Sequence, residues 1–137
     1  MAKEKIAIVV SRFNGEITKR MKEAAKKKIK KQKAELVKVV EVPGAFEIPL
    51  AVKKLLQDKK IQGVVTLGAI IKGDTNHDEV IAHSIAKSLI DLSLAFHRPI
   101  ALGVLGPNIT WEQAEKRIRE YSERAVDTVI EVLRKSY

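Results

Sequence analysis

The chain has 137 residues, 45% of them hydrophobic, which suits one compact domain with a packed core and excludes a disordered or fibrous chain. It contains no cysteine, so a disulfide framework, a thiolate metal site and a thiol nucleophile are all excluded. The formal net charge of +9 admits nucleic acid as a partner, and the pattern of the lysines has to decide that question.

Met1 to Lys5 lead into an apolar run of only Ile6 to Val10, too short for a signal-peptide core or a membrane span. The chain therefore reads as soluble and cytoplasmic, with no membrane partner. Lys5 to Val10 is β-branched and apolar and predicts a first strand. A helix is expected from about Glu16 to Lys33, because Ile17, Met21, Ala25 and Ile29 recur at a spacing of four. The basic run Lys26 to Lys33 then falls on the solvated faces of that helix, and its lysines also suit the helix dipole near the C-terminal end. None of the three Phe, two Tyr and one Trp interleaves with this run as stacking platforms for bases would, so no nucleic-acid partner is expected.

A second strand is predicted at Glu35 to Val42 and a helix at about Phe46 to Lys59. Gly63 to Ile71 predicts the third strand, followed by a helix at His77 to Phe96 with Ile81, Ile85, Leu89 and Leu92 as its core stripe. The fourth strand, Pro99 to Leu105, precedes a helix at Thr110 to Lys135 striped by Ile118, Tyr121, Ala125, Val129 and Val132. Alternating strands and helices predict a parallel sheet covered on both faces, since parallel neighbours need crossover helices. The expected fold is a single domain over residues 1–137: a flavodoxin-like, three-layer α/β/α sandwich with four parallel strands in the order 2-1-3-4.

In such open sheets, ligands bind beyond the carboxyl ends of the strands. The four segments that follow the strands are Ser11 to Gly15, Pro43 to Glu47, Lys72 to His77 and Gly106 to Asn108, and they are expected to meet on one rim. In the third, Gly73 permits a tight turn, and Asn76 with Glu79 has the spacing of a capping box, which puts His77 at the first helical position. Free backbone N–H groups there suit an anion such as phosphate, and the positive helix end favours a neutral imidazole able to accept a proton. Spacing alone equally allows His77 to sit at an ordinary solvated helix start. Glu47 can accept hydrogen bonds from the hydroxyls of a sugar-like chain, or simply cap its helix. Phe13 and Phe46 read as stacking faces or as core residues. His83 points away from His77 on the same helix and His97 ends it, so no metal site is expected.

Taken together, Ser11-Arg-Phe-Asn14, Val42-Pro-Gly-Ala-Phe-Glu-Ile-Pro49, Leu67-Gly-Ala-Ile-Ile-Lys-Gly-Asp-Thr-Asn-His77 and Glu112-Gln-Ala114 followed by Arg117 closely resemble the lumazine synthase family, in the family's order and over nearly the whole chain. The resemblance implies a transferase of riboflavin biosynthesis that condenses 5-amino-6-(D-ribitylamino)uracil with 3,4-dihydroxy-2-butanone 4-phosphate to 6,7-dimethyl-8-ribityllumazine, without a cofactor. It implies that Phe13 stacks on the pyrimidine, that Ala45, Phe46 and Glu47 hold the ribityl chain and ring edge, and that Ala69, Ile70 and Ile71 line the pyrimidine slot. Asp74 and Thr75 match the positions that contact the butanone phosphate, and His77 matches the proton-transfer residue. A neighbouring subunit completes the family's site, at positions matched here by Leu102 against the ring and Arg117 on the phosphate, so a pentamer or a sixty-subunit shell is implied. The chain departs from the family pattern at Leu102, where many members carry Phe, at Asp78, where an aromatic is common, and at Asp74, a carboxylate beside the phosphate. The alternatives are an archaeal-type riboflavin synthase, which shares ancestry and fold, and a noncatalytic flavin- or lumazine-binding module.

Overall fold

Strand β1 (Lys5–Ser11) lies buried in the interior of the sheet in a computed structural model that describes residues 2–135. It pairs in parallel with β2 (Glu35–Val42) on one side and β3 (Gly63–Ile71) on the other, and β3 pairs in parallel with β4 (Ile100–Ile109). The resulting order, 2-1-3-4, is the expected one. Register Val10 to Glu41 and to Leu67 puts the carboxyl ends of β1, β2 and β3 side by side.

Alternation along the strands divides the core into two. Ile6, Ile8 and Val10 of β1 and Val65, Leu67 and Ala69 of β3 face helices α1 (Gly15–Lys31) and α4 (Trp111–Lys135). Ala7, Val9, Val64 and Ile70 face α2 (Ile48–Leu55) and α3 (His77–Phe96). Both faces of the strands are therefore apolar, as a sheet covered by crossover helices requires. On α1, Ile17, Met21, Ala25 and Ile29 are all buried, and the lysines occupy the outer faces. At the β3–β4 seam, Thr66 donates its hydroxyl to the Ala101 carbonyl at 2.7 Å, and Gly103 lets the two strands and α4 approach so closely that a Cβ there would lie 2.5 Å from the Thr66 carbonyl oxygen.

The element bounds differ from expectation most at the second helix and the fourth strand. The second helix ends at Leu55, not Lys59, because Gln57 to Lys60 are exposed and contribute no apolar face. It also begins later: Ala45–Glu47 form a 3₁₀ turn before α2, as Pro49 in the first turn fixes where the α-helix starts. The fourth strand runs on past Leu105 to Ile109 through Gly106, whose φ of +113° and close packing on the Ile70 carbonyl admit only glycine. Thr110 and Gln113 then form a reciprocal capping box at the start of α4, with bonds of 3.0 and 3.2 Å. At the other end of α4, Arg134 grips both carboxylate oxygens of Glu4 at 3.0 and 3.2 Å and the Gln32 carbonyl at 2.9 Å. Among the described residues no helix is long and apolar enough to cross a membrane.

Candidate functional site

The carboxyl ends of β1 and β3 and the turns after β1, β2 and β3 enclose a cleft of about 360 Å³ lined by Phe13, Asn14, Gly44, Ala45, Phe46, Ala69, Ile70, Ile71, Thr75, His77 and their neighbours. The turn after β1 is fixed first. Asn14 adopts a left-handed conformation at φ 60°, which asparagine tolerates, and its side-chain amide donates to the Ala69 carbonyl at 2.8 Å. The Phe13 N–H donates to the Pro43 carbonyl at 3.0 Å, which ties the first turn to the second. The rings of Phe13 and Phe46 are each 70% exposed, so neither is the core residue that the sequence allowed. Two apolar rings left in water at the mouth of a cleft form a surface for a flat, partly apolar ligand.

Glu47 does not line this cleft. Its Oε1 accepts the Gly44 N–H at 2.9 Å, so one oxygen performs the capping role, and the carboxylate thereby shapes the Gly44–Phe46 turn. The other oxygen retains its lone pairs for a hydroxyl.

His77 begins α3, as expected, but the cap differs from the predicted one. Asn76 makes no side-chain capping bond, and Glu79 does not reach back. Instead the Thr75 hydroxyl accepts the His77 N–H at 3.3 Å. Gly73 to His77 are exposed, so the loop backbone and the imidazole both face solvent at the cleft edge. Asp74 lies in that loop but outside the cleft lining. Asp78, one of the positions where the sequence departs from the family pattern, is almost fully buried, and its Oδ2 accepts the Asn108 N–H at 2.9 Å. Its carboxylate thereby binds the backbone of β4 near that strand's carboxyl end.

Leu102 and Arg117 lie apart from this cleft. Leu102 is 49% exposed on β4, the edge strand on the far side of β3, and Arg117 is an exposed residue of α4 whose guanidinium donates to the Gln113 carbonyl at 3.4 Å. The cleft also contains Asn14, Gly44, Gly73, Asp78 and Ile81, which were not assigned to the site from sequence. The dipeptide Asn14-Gly15 after a strand is the signal that could have drawn attention to Asn14, since it marks a left-handed turn. A larger depression, about 680 Å³, lies on the opposite face between α1 and α4 among Lys19, Arg20, Lys27, Lys28, Lys31 and Arg119. It is open and lysine-rich, and it contains none of the chemistry-bearing groups of the rim.

The sequence profile of 6,7-dimethyl-8-ribityllumazine synthase matches residues 3–136. Curated proteins of that name are similar over 96% of this chain: one from Metallosphaera sedula at 52% identity over 87% of its own length, and one from Saccharolobus islandicus at 46% over 86%. Another from Methanobrevibacter smithii is 44% identical over 96% of this chain and 95% of its own length. With the parallel 2-1-3-4 sheet and a cleft built from the matching rim segments, these similarities show that the chain belongs to the 6,7-dimethyl-8-ribityllumazine synthase family.

Proposed function

We propose that this chain is itself a cytoplasmic lumazine synthase, condensing 5-amino-6-(D-ribitylamino)uracil with 3,4-dihydroxy-2-butanone 4-phosphate. The observation that carries the reading is the meeting of Phe13, Phe46, Thr75 and His77 around one cleft in a chain of this family. In this reading the pyrimidine stacks on Phe13 against the backbone of Ala69, Ile70 and Ile71, and the ribityl chain runs past Ala45 and Phe46 to the free oxygen of Glu47. The phosphate takes the loop of Asp74 and Thr75, where backbone N–H groups precede the helix.

The chemistry then follows from the substrates. The 5-amino nitrogen adds to the ketone carbon and water leaves, forming an imine. Removal of a proton from the adjacent carbon expels phosphate, and tautomerisation leaves a ketone to which the ribitylamino nitrogen adds with loss of water. Each step moves a proton, and the exposed imidazole of His77 in the cleft is a group able to carry it. Much of the acceleration comes from holding two reactive molecules together. Replacing His77 by Ala is therefore expected to lower kcat by about tenfold to a hundredfold without abolishing turnover. The deciding measurement is formation of the fluorescent lumazine from the two substrates. Binding of product without a rate above the spontaneous one would identify a noncatalytic module, and turnover of the lumazine itself would identify a riboflavin synthase.

Completion of the site by a neighbour is supported by the surface of α3. Ile85 and Leu89 of its inner stripe are buried, with Ile81 and Leu92 partly so, yet Val80, Ile90 and Leu94 on the outside are 60 to 70% exposed, and Leu102 of the adjacent strand is 49% exposed. A helix apolar on both sides suits burial on both sides. A homo-oligomer, pentameric or a sixty-subunit shell, places Leu102 and Arg117 of one copy over the cleft of the next. Leu94→Glu is expected to yield smaller species by analytical ultracentrifugation and to lose activity with assembly.

A further inference from the structure

We infer that Asp78 is a positioning residue, which holds His77 in register by fastening the first turn of α3 to the backbone of β4 near its carboxyl end. The inference rests on the synthase reading above and adds a residue to it. Asp78 is 5% exposed, far below what is normal for a carboxylate, and its Oδ2 accepts the Asn108 N–H at 2.9 Å. A buried carboxylate is retained only where a partner offsets its loss of water, and here a backbone N–H and the positive end of α3 do so.

The segment that it grips is itself rigidly placed. Gly106 lies against the Ile70 carbonyl so closely that a Cβ would come within 2.4 Å, and Asn108 adopts φ 59°. The Lys72 N–H donates to the Ile109 carbonyl at 2.9 Å, which fixes the same stretch to the end of β3. By contrast, Gly73 to His77 are all exposed, and nothing lies within 4 Å of a Cβ built on Gly73. The loop that delivers His77 is thus open on its outer side, held at one end by β3 and at the other by Asp78. Releasing the second hold lets the first turn of α3 shift, and displacement of a catalytic group by about 1 Å costs on the order of a hundredfold in rate.

Asp78→Ala removes the acceptor and is expected to lower kcat by about tenfold with little change in KM for the pyrimidine, since Phe13 and Ala69 are untouched. Asp78→Asn keeps a carbonyl oxygen at the same reach and is expected to recover much of that loss. The decisive arm is a double-mutant cycle. In a His77→Ala background, Asp78→Ala is expected to have no further effect on kcat, because the group that it positions is gone. Hydrogen exchange at the Asn108 amide should also be faster in Asp78→Ala than in the parent. Should the alanine variant fail to fold, Asp78→Ser, whose hydroxyl does not reach Asn108, carries the same expectations. Wild-type turnover with an unchanged Asp78→Ala rate, or with losses that multiply in the double variant, would overturn the inference while leaving the synthase reading intact. Absence of wild-type turnover would remove both.

Discussion

At the scale of single residues, Phe13, Phe46, Thr75 and His77 are exposed at the cleft, so changing them should affect binding more than folding. Phe13 is 70% exposed, and Phe13→Ala is expected to raise KM for the pyrimidine about tenfold, an effect of the size of one lost aromatic stack, with an unchanged thermal midpoint. Ser122 presents the opposite case. Its hydroxyl is fully buried on α4 and is the one buried side-chain polar atom without a partner among the described residues. Removing an unpaired buried hydroxyl relieves its desolvation, so Ser122→Ala should raise stability by about 1 kcal/mol, seen as a higher midpoint in thermal unfolding. Which reading of a residue held was a matter of burial, and a single sequence does not encode burial on a rim. Phe13 and Phe46 have the hydrophobicity of core residues, and only the turns that carry them, the left-handed Asn14 and the Gly44 turn closed by Glu47, put them in water.

At the scale of elements, the strands are the most legible part, because β1 and β3 are largely apolar runs with both faces covered. The stripe of α1, and that of α4 from Ile118 to Val129, are likewise visible in their spacing, although at the end of α4 Ile130 and Leu133, not Val132, pack on the core. Helix and strand ends were less so. The start of α3 was placed correctly on a capping box that does not form, since Thr75 takes the cap that Asn76 and Glu79 were expected to share. Gly106-Pro107 reads as a break, so the expected fourth strand ends at Leu105, whereas the ladder resumes with Ile71 opposite Ile109. The seam between β3 and β4 gives the sharpest element-scale prediction. Gly103→Ala drives a methyl into the Thr66 carbonyl at 2.5 Å and should destabilise the fold by about 3 kcal/mol, measurable as a lower denaturant midpoint with the same slope.

At the scale of the whole molecule, the paired grip of Arg134 on Glu4 closes the sheet's amino-terminal end against the last helix. The Glu4 side chain is 20% exposed, and its hydrogen bonds to Arg134, followed by its own backbone N–H and the guanidinium charge, hold its pKa below the ordinary 4.5 despite a partial loss of water. A lowered folded pKa means stability that is present above the unfolded value and lost as pH falls through the folded one. The difference in thermal midpoint between the parent and Glu4→Gln should accordingly be constant near neutrality and shrink once the pH drops below 4.5. The roles proposed for Leu102 and Arg117 rest on the family resemblance, and no physical pattern in one chain points to them, because both residues lie outside its cleft. The same clasp has an engineering consequence. Residues 4 and 134 touch through a bond of 3.0 Å, while Gln57 to Lys60 form an exposed turn outside α2 and β3. A short linker joining the two ends, with the polypeptide opened at that turn instead, gives a circular permutant that keeps every strand pairing and moves the attachment point for a fused cargo to the turn between α2 and β3.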